Sequence, residues 1–326
     1  MSTIVFVEHM EPDDVGLEYQ VDDAIKTLGV SKKFNEARAV FIKPNLTYDK
    51  YKKGVTTRIE FVETIVKCLR KINATTKIYI GEGEGGSQAF SMTKAMEVMG
   101  FFALENKYEN VKIINISTLP TKTVELTAFG KPYPLELPAI FFDEIDFSIT
   151  CPVPKVHCMT KITLSFKNQW GCLPDTMRLS NHYAFDEIIA QVCDKLKFQY
   201  AFLDGRYGLD DNGPMNGTPI NLDWFVAADS LGAFDLIVSE MMGQNWRKIG
   251  HLKKAYTLGF IPSRSEVSVL GDIKSLQRKF KLRRNFWNYP ALIAFKSKNI
   301  TRIVYLSHIS KFLHDVMYTF RKRPLD

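Results

Sequence analysis

Apolar residues along the chain alternate between short continuous runs and stretches with helical spacing. ARAVFIKPNLT predicts a buried strand over Ala39–Ile42 that breaks at Pro44, and EFVETIVKCLRKI then repeats its apolar residues at helical spacing. TKIYIGEGEGG, SMTKAMEVMGFF and VKIINIS continue as a strand, a helix and a strand. This alternation is typical of βαβ units, so it predicts an α/β fold with a mainly parallel, Rossmann-like, doubly wound sheet flanked by helices.

The second half of the chain repeats the pattern. LTAFGKPYPLELP predicts a hairpin, IDFSITCP a strand, Phe185–Leu196 a helix and YAFLDG another strand. DWFVAADSLGAFDLIVSEMMG is interpreted as a helix that a polar loop precedes. These elements predict one α/β domain over residues 1–288.

The pattern changes after Tyr289. Apolar residues recur there at helical spacing, and basic residues follow them at Arg321–Arg323; the apolar residues are Leu306, Ile309, Phe312, Leu313, Val316 and Met317. Residues 289–326 are therefore predicted to form an amphipathic helical tail that docks on the core. Peripheral contact with a membrane surface, or with a partner helix, is the alternative.

Composition and charge narrow the class of protein. Hydrophobic residues make up 45% and charged residues 24% of 326 residues, which is typical of a globular protein. The chain begins without a signal-peptide pattern and has no apolar run of membrane-spanning length. Five Cys without a C-x-x-C pair favour a reducing compartment, so we expect the cytoplasm and expect no ferredoxin-type iron–sulfur cluster.

The net charge of +7 is concentrated in one stretch. Residues 246–287 hold eleven Lys and Arg against Glu266 and Asp272. This basic stripe is interpreted as a solvated face, and binding to RNA, DNA, anionic lipid or an acidic partner is the alternative. No helix-turn-helix, zinc-finger or RNP pattern accompanies it, so a nucleic-acid partner is not expected.

Polar residues follow the predicted strands, at the sheet edge where α/β proteins bind ligands. Lys43 is expected to hold a carboxylate or phosphate and Asn45 to orient it; a surface turn is the alternative. The glycines of GEGEGG match a dinucleotide fingerprint, but Glu82 and Glu84 would oppose a pyrophosphate. NAD is therefore not expected, and Glu82 or Glu84 is expected to contact substrate, face a metal or act as a base.

Basic and nucleophilic residues crowd the segment 151–183, which contains Lys155, His157, Lys167 and His182. Histidine suits proton transfer or metal ligation near neutral pH, and a lysine beside other cations acts as a base or a covalent anchor. Three cysteines in the segment are soft metal ligands in one interpretation and buried packing residues in the other: Cys151, Cys158 and Cys172. Further along, Asp229 and Asp235 are expected to cap the next helix or to bind a cation.

Together these motifs resemble the domain of unknown function 362 family. The resemblance rests on IKPNL, GEGEGG before a helix, PKVHCMTKITLSFKNQWGCLP, a later NH, LDG, NGPMNGTP and AADSLGAFDLIVSEMMG. They occur in the family's order over Ala39–Lys279. Many members carry an added ferredoxin-like segment that has no counterpart in this sequence, so cluster-based electron transfer is not expected.

More distantly, the chain is similar to the amino-terminal lobe of nickel-pincer lactate racemases. QVDDAIKTLGV is similar to that family's early helix, and the spacing of His157 and Lys167 resembles that of its catalytic His and cofactor-tethering Lys. The resemblance implies that His157 is a base, Lys167 an anchor and His182 a metal ligand. GEGE replaces the family's Gly-Thr-His-Arg turn, LSFK replaces the glycine-rich context of its Lys, and no second lobe is expected. The pincer cofactor is therefore not expected.

From the residues and the resemblance we predict an enzyme that abstracts a proton next to the carboxylate of a small substrate, of isomerase, epimerase or lyase type. Lys43 and Lys155 would hold the anion, and His157 or Lys167 would move the proton. His182 would bind a divalent transition metal or orient the base, because a developing enolate needs fixed positive charge or a metal.

Other interpretations stay open at this point. Asn168, next to the predicted base, is grouped with the substrate contacts. One rival function is a non-catalytic binding or assembly protein that uses the basic stripe, and another is a redox protein with a metal bound by cysteines. A homodimer is also considered.

Overall fold

A computed structural model describes residues 3–86, 89–286, 288–310 and 312–313. The strands are β1 (Thr3–His9), β2 (Ala39–Pro44), β3 (Lys77–Glu82), β4 (Val111–Asn115), β5 (Thr121–Ala128), β6 (Lys131–Pro138), β7 (Phe147–Cys151), β8 (Lys155–His157), β9 (Lys161–Thr163), β10 (Phe198–Asp210), β11 (Thr218–Ala228) and β12 (Val267–Leu270). The helices are α1 (Asp14–Thr27), α2 (Val30–Glu36), α3 (Ile59–Ile72), α4 (Met92–Val98), α5 (Ala103–Lys107), α6 (Ile140–Asp143), α7 (Ser165–Asn168), α8 (Phe185–Lys195), α9 (Leu231–Met241), α10 (Gly250–Thr257), α11 (Ile273–Leu276), α12 (Asn288–Lys296) and α13 (Lys298–Thr301).

Five parallel strands, in the order β10-β7-β2-β3-β4, form the half of the sheet that carries the predicted site. From β2 the chain moves outward through β3 to β4, and it then returns to the other side of β2 with β7 and β10. Pro44 and Cys151 are paired where β2 and β7 end. We call the place between these two strand ends the crevice, because a reversal of strand order is where open α/β sheets form one. The residues after Pro44 and Cys151 lie at this place.

The other edge of the sheet is partly antiparallel. β11 pairs antiparallel with β10, β1 pairs antiparallel with β11, and β12 pairs parallel with β1. β8 joins β10 through Leu209 and Lys155 and pairs antiparallel with β9. This side branch projects Lys155 and His157 from the sheet beyond the end of β7.

Both faces of the sheet are covered, as a doubly wound fold requires. All six residues of β2 are buried. Val40 and Ile42 belong to the hydrophobic core on one face, with α1 and α3, whereas Phe41 belongs to the core on the other face, with α8 and α9. The predicted fold class, an α/β fold with a mainly parallel sheet flanked by helices, is confirmed.

Of two further predictions of secondary-structure elements, one is confirmed and one is partly wrong. The predicted hairpin is confirmed as β5 and β6. The interpretation of DWFVAADSLGAFDLIVSEMMG as one helix after a polar loop is wrong for its first part, because Asp223–Ala228 belong to β11 and α9 starts only at Leu231. Trp224–Ala228 is a short apolar run buried between two strands, and periodicity alone does not separate such a run from a buried helix.

The predicted tail consists of short pieces in its described part: α12, α13 and a π-helical turn over Arg302–Leu306. α12 and α13 contact the 3₁₀ segment Arg178–Ala184. Ile309 and Phe312 do not dock on the core, since they are 54% and 68% exposed. Val316 and Met317 lie outside the described residues. No helix in the part of the chain that the structure describes is long and apolar enough to cross a bilayer.

Candidate active site

Lys43 and Glu82 form a buried ion pair where β2 and β3 end. The Lys43 Nζ lies 2.5 Å from the Glu82 Oε2, and the two side chains are 0% and 6% exposed. The Glu82 carboxylate also accepts hydrogen bonds from the backbone N–H of Gly83 at 3.0 Å and of Leu46 at 3.3 Å. The pair therefore joins the two strand ends, and direct substrate contact by Lys43 or Glu82 stays a prediction.

Lys155 reaches across the crevice in the same way. Its ammonium is buried and donates to the Asn45 Oδ1 at 3.0 Å and to the backbone carbonyl of Val55 at 2.7 Å. Burial, followed by the charge of Lys167, lowers the pKa of Lys155 well below its ordinary value. Lys155 and Asn45 thus tie the β7–β8 connection to the loop after β2; their predicted roles in the reaction stay predictions.

Asn168 and Glu84 also have protein partners. The Asn168 amide donates to the Thr150 hydroxyl at 2.9 Å. The Glu84 carboxylate accepts from the Asn115 amide at 2.6 Å and from the backbone N–H of Met92, at the start of α4, at 2.8 Å. These contacts fix the loops around the crevice, and substrate binding by either residue stays a prediction.

The glycines of GEGEGG allow a close approach between two loops. The Gly83 N–H donates to the Gly171 carbonyl at 3.0 Å. A Cβ at Gly83 would lie 2.4 Å from that carbonyl oxygen, and a Cβ at Gly171 would lie 1.9 Å from the Glu82 Oε1. Glycine at these positions is therefore explained by the packing of the loop after β3 against the turn after α7.

Gly171→Ala is expected to lower the free energy of unfolding by about 1–3 kcal/mol, because the new methyl group would have to displace the Glu82 carboxylate from its donors. Urea denaturation followed by circular dichroism measures the change. Gly86→Ala is the matched control, since its Cβ would find its nearest neighbour, Leu179, at 4.0 Å. Equal unfolding midpoints for the two variants would contradict this explanation.

α7 carries Lys167 to the crevice, and Asp235 of α9 holds its first turn. The Asp235 Oδ1 accepts from the Ser165 N–H at 2.7 Å and lies 2.6 Å from the Ser165 hydroxyl, and its Oδ2 accepts from the Phe166 N–H at 3.3 Å. Burial raises the pKa of Asp235 to about 7, although these hydrogen bonds act to lower it. Leu164, at the N-cap, supplies no side-chain cap. Asp235 therefore caps α7 rather than α9, the helix it was predicted to cap.

Lys167 differs from Lys43 and Lys155 in being partly exposed. Its ammonium lies 5.0 Å from the centre of the Phe185 ring. Burial, followed by the charge of Arg178, lowers the pKa of Lys167 to about 7. No carboxylate of the described residues lies within ion-pair distance of it. Near neutral pH the neutral and the charged amine are thus both populated.

Three histidines lie near this amine, whose charge acts to lower the pKa of each: His157, His182 and His251. His157 is buried, and its Nδ1 accepts from the backbone N–H of Met159 at 3.1 Å and of Thr160 at 3.3 Å. An accepting Nδ1 places the proton of the neutral imidazole on Nε2. Burial, more than Lys167, lowers the pKa of His157 well below its ordinary value, so the ring is neutral.

His182 and His251 contact the aromatic side of the site. The His182 ring is partly exposed and lies 5.0 Å from the Trp170 ring. The His251 ring is fully buried, lies 5.4 Å from the Phe185 ring, and has no hydrogen bond to either nitrogen in the part of the chain that is described. Burial lowers the pKa of His251 to about 3. Sequence reasoning missed His251, because nothing in GHLKKAYT distinguishes it from a surface histidine.

Arg178 is a second residue that the sequence did not single out. It is 8% exposed, and its Nη2 donates to the Glu84 carbonyl at 2.6 Å. Its Nη1 has no hydrogen-bond partner among the described residues, and none of their carboxylates lies within ion-pair distance. Burial lowers the pKa of Arg178, but a guanidinium starts from above about 12 and stays charged. The buried N–H groups on Nη1 are thus donors available to an anion.

Cys151 and Cys172 are packing residues. Both are fully buried, and burial raises the pKa of both thiols well above the ordinary value. A buried thiol with a raised pKa is a poor nucleophile. Cys158 is partly exposed, and the rival redox function, with a metal bound by these three cysteines, stays a prediction.

A metal at His182 stays a prediction. Within residues 3–86, 89–286, 288–310 and 312–313, no three His, Cys, Asp or Glu side chains are grouped so that they could hold one ion. The His182 ring packs against Trp170 and Phe185, whose side chains supply no ligand suited to a divalent cation. No step below is therefore assigned to a metal.

The basic stripe borders this cluster, because His251 lies within it and the Arg284 Nε donates to the Cys158 carbonyl at 2.6 Å. Part of it lines an open groove of about 510 Å³ next to the end of β10. The groove is bordered by Asp210, Asp211, Ile220, Arg278, Lys279, Lys281 and Arg283. Asp211 approaches Arg283, with the Asp211 Oδ1 3.6 Å from the Arg283 Nε, so two of these charges partly offset each other.

Comparison with known proteins matches residues 40–240 to the family described as Domain of unknown function (DUF362). The matched span is well over half of the 326 residues. The chain belongs to the DUF362 family. The DUF362 region contains the predicted site residues from Lys43 to His182, together with Arg178, and ends before His251. The resemblance seen in the sequence is confirmed.

Individual relatives of this DUF362 protein match only in part. The thylakoid-associated protein sll1697 of Synechocystis sp. is 24% identical over 132 residues, which are 38% of this chain and 41% of that protein. The lactate racemase apoprotein of Thermoanaerobacterium thermosaccharolyticum superposes with a TM-score of 0.44 and 14% identity, over 79% of this chain and 57% of the other. A Thermotoga maritima crystal structure gives 0.38 and 12%, over 62% and 53%. At these scores neither structure assigns a function to the DUF362 chain.

Proposed function

We propose that this DUF362 protein is an enzyme that abstracts a proton next to the carboxylate of a small organic acid, with Lys167 as the base. The observation that carries the proposal is the state of Lys167: it is partly exposed, its pKa is lowered to about 7, and no described carboxylate pairs with it. A base is most effective when its pKa lies near the working pH. Lys43 and Lys155 are fully buried and already have acceptors.

Arg178 is the proposed anchor for the substrate carboxylate. Its buried Nη1 would donate to the carboxylate, and hydrogen bonds from a charged donor in a buried site are stronger than those in water. Arg178 and Lys167 lie close enough for the charge of Arg178 to lower the pKa of Lys167. An anion bound at Arg178 would therefore lie near the neutral amine that takes the proton.

The proposed reaction transfers one proton to Lys167 and stabilises the negative charge that this transfer leaves on the substrate. The proton moves from the α-carbon to the Lys167 Nζ, and the electron pair of the broken C–H bond delocalises into the substrate carboxylate. Arg178 and the new Lys167 ammonium stabilise the added negative charge. Return of the proton from the Lys167 ammonium to the α-carbon regenerates the neutral amine and completes an isomerase reaction. Loss of a β-substituent instead would give a lyase.

Proton exchange at the α-carbon tests this directly. Hydroxy and amino acids are incubated in D₂O with the wild-type chain, Lys167→Met and the exposed-lysine control Lys94→Met, and α-deuteration is followed by NMR. We expect the exchange rate of Lys167→Met to be at least a hundredfold lower than that of the wild type, and the exchange rate of Lys94→Met to be unchanged. Because only the neutral amine accepts a proton, exchange should rise with pH through about 7 and then level off. Exchange that survives in Lys167→Met would contradict the proposal.

The same preparations answer two neighbouring questions. Elemental analysis of the wild type beside His182→Ala tests the predicted divalent metal: a near-stoichiometric metal lost in the variant would assign His182 as a ligand.

We place the activity in the cytoplasm on the basis of the five free cysteines. That placement is a proposal to be tested by fractionation.

A further inference from the structure

The end of the described chain has an unusual charge. Residues 273–314 contain ten Lys and Arg and no Asp or Glu. Eight of the basic side chains are exposed: Lys274, Arg278, Lys279, Lys281, Arg283, Lys296, Lys298 and Arg302. Among them only Arg283 has a described carboxylate within ion-pair distance, that of Asp211. The segment therefore presents a field of one sign, which attracts an anionic partner.

The same segment exposes large apolar side chains. Ten such side chains in the described part of the chain are more than half exposed, and six of them lie within 27 residues: Phe286, Tyr289, Ile293, Ile303, Ile309 and Phe312. Tyr289 and Ile293 are four residues apart in α12, so they share one helix face. Apolar side chains concentrated in this way mark an interaction surface.

The other side of the segment is held by the domain. α12 and α13 contact the 3₁₀ segment Arg178–Ala184, and Thr301 is fully buried. The Lys298 ammonium lies 5.7 Å from the centre of the Tyr183 ring. The exposed apolar residues thus belong to helices that already rest on the protein, which leaves their outward surface for a partner.

We propose that the described residues between 273 and 313, which are 273–286, 288–310 and 312–313, form a docking surface for an anionic lipid bilayer. Apolar side chains flanked by Lys and Arg match the two layers of a bilayer, the acyl boundary and the charged headgroups. The Lys and Arg side chains would attract a nucleic acid, but Ile293 and Ile303 would not contribute to binding it. A nucleic acid therefore accounts for the charge of the surface but not for its exposed apolar side chains. α12 and α13 contact Arg178–Ala184, which includes the proposed anchor Arg178, so docking would hold the candidate active site near the membrane.

Vesicle co-sedimentation of the full chain tests the proposal. Vesicles of phosphatidylcholine alone are compared with an equal mixture of phosphatidylcholine and phosphatidylserine. The apolar variant is Ile293→Asn with Ile303→Asn, and its control is Val15→Asn with Val98→Asn, two side chains that are 80% and 63% exposed elsewhere. The charge variant is Lys274→Gln with Lys296→Gln and Arg302→Gln, and its control changes three exposed lysines, Lys94, Lys112 and Lys131, to Gln.

We expect binding to the mixed vesicles only, at least tenfold weaker for both variants, unchanged for both controls, and weakened by salt. Equal binding to both vesicle types, or equal losses in variants and controls, would overturn the proposal. The proposal would also be overturned if the protein bound an RNA homopolymer as tightly as it binds the vesicles and the apolar substitutions left that RNA binding unchanged. Circular dichroism of each variant verifies that it is folded, and because all substituted side chains are exposed, we expect unchanged spectra.

Discussion

Lys43→Met is expected to lower the free energy of unfolding by about 3–5 kcal/mol, a typical cost of removing one partner from a buried ion pair. Methionine has a similar length, so the cavity stays filled while the positive charge disappears. The Glu82 carboxylate, 5% exposed, would then keep only the backbone N–H groups of Gly83 and Leu46 as donors. Urea denaturation at neutral pH measures the loss.

Two comparisons separate the charge effect from packing. The double variant Lys43→Met with Glu82→Gln removes both charges, and we expect it to recover most of the stability lost in the single variant. Lys26→Met breaks an exposed pair with Asp22, in which Lys26 is 67% exposed, and should leave the unfolding midpoint almost unchanged. A double variant as unstable as the single one would mean that the charge of Glu82 is not the cause.

Asp235→Ala is expected to cost about 3 kcal/mol or more, because it leaves the buried N–H groups of Ser165 and Phe166 without an acceptor, at about 1–3 kcal/mol each. Asp235→Asn keeps an acceptor and should lose much less. Since these groups hold the helix that carries Lys167, Asp235→Ala should also reduce α-proton exchange. Unfolding midpoints and exchange rates measured on the two variants test both expectations, and equal midpoints would contradict the cap.

The contribution of Asp235 to the free energy of unfolding depends on pH, and its sign follows from the direction of the pKa shift. Burial raises the pKa of Asp235 to about 7 in the folded chain, against about 3.9 when unfolded. The folded state therefore binds more protons between these values, so the contribution of Asp235 to stability is greatest below about pH 4 and is lost as pH rises through about 7. A protonated Asp235 can donate to the Ser165 hydroxyl, which lies 3.2 Å from the Leu231 carbonyl and can donate to it in turn. Relative to Asp235→Asn, the wild type should lose stability between pH 5 and pH 8.

Sequence reasoning succeeded where local pattern decides the outcome. The strand ends that carry Lys43 and Glu82 were predicted from an apolar run followed by polar residues, and the parallel sheet then brought them together. What the pattern did not contain is the identity of partners. It suggested that Lys43 holds a substrate anion, whereas the structure gives it Glu82 as a counter-ion.

The residues that sequence reasoning missed, or assigned to another role, depend on contacts between distant parts of the chain. Asp235 caps a helix 70 residues earlier in the sequence, which no capping rule for adjacent residues detects. Arg178 and His251 are distinguished by being buried while the Arg178 Nη1 and both His251 ring nitrogens have no hydrogen-bond partner among the described residues. Burial of a polar residue is set by the tertiary fold. The boundary between β11 and α9 was predicted wrongly for a related reason. The apolar run at the end of β11 is compatible with a buried strand and with a buried helix.

The position of β1 has a consequence for synthesis on the ribosome. Thr3–His9 leaves the ribosome before both of its neighbours in the sheet, which are Trp224–Ala228 and Val267–Leu270. At about 5–20 residues per second, roughly 10–40 seconds pass between the emergence of His9 and that of Trp224. Throughout that time the nascent chain carries an apolar strand with both edges open, which is a template for wrong pairing. We therefore expect ribosome-bound chains shorter than about 230 residues to recruit chaperones at β1 and full-length chains to release them.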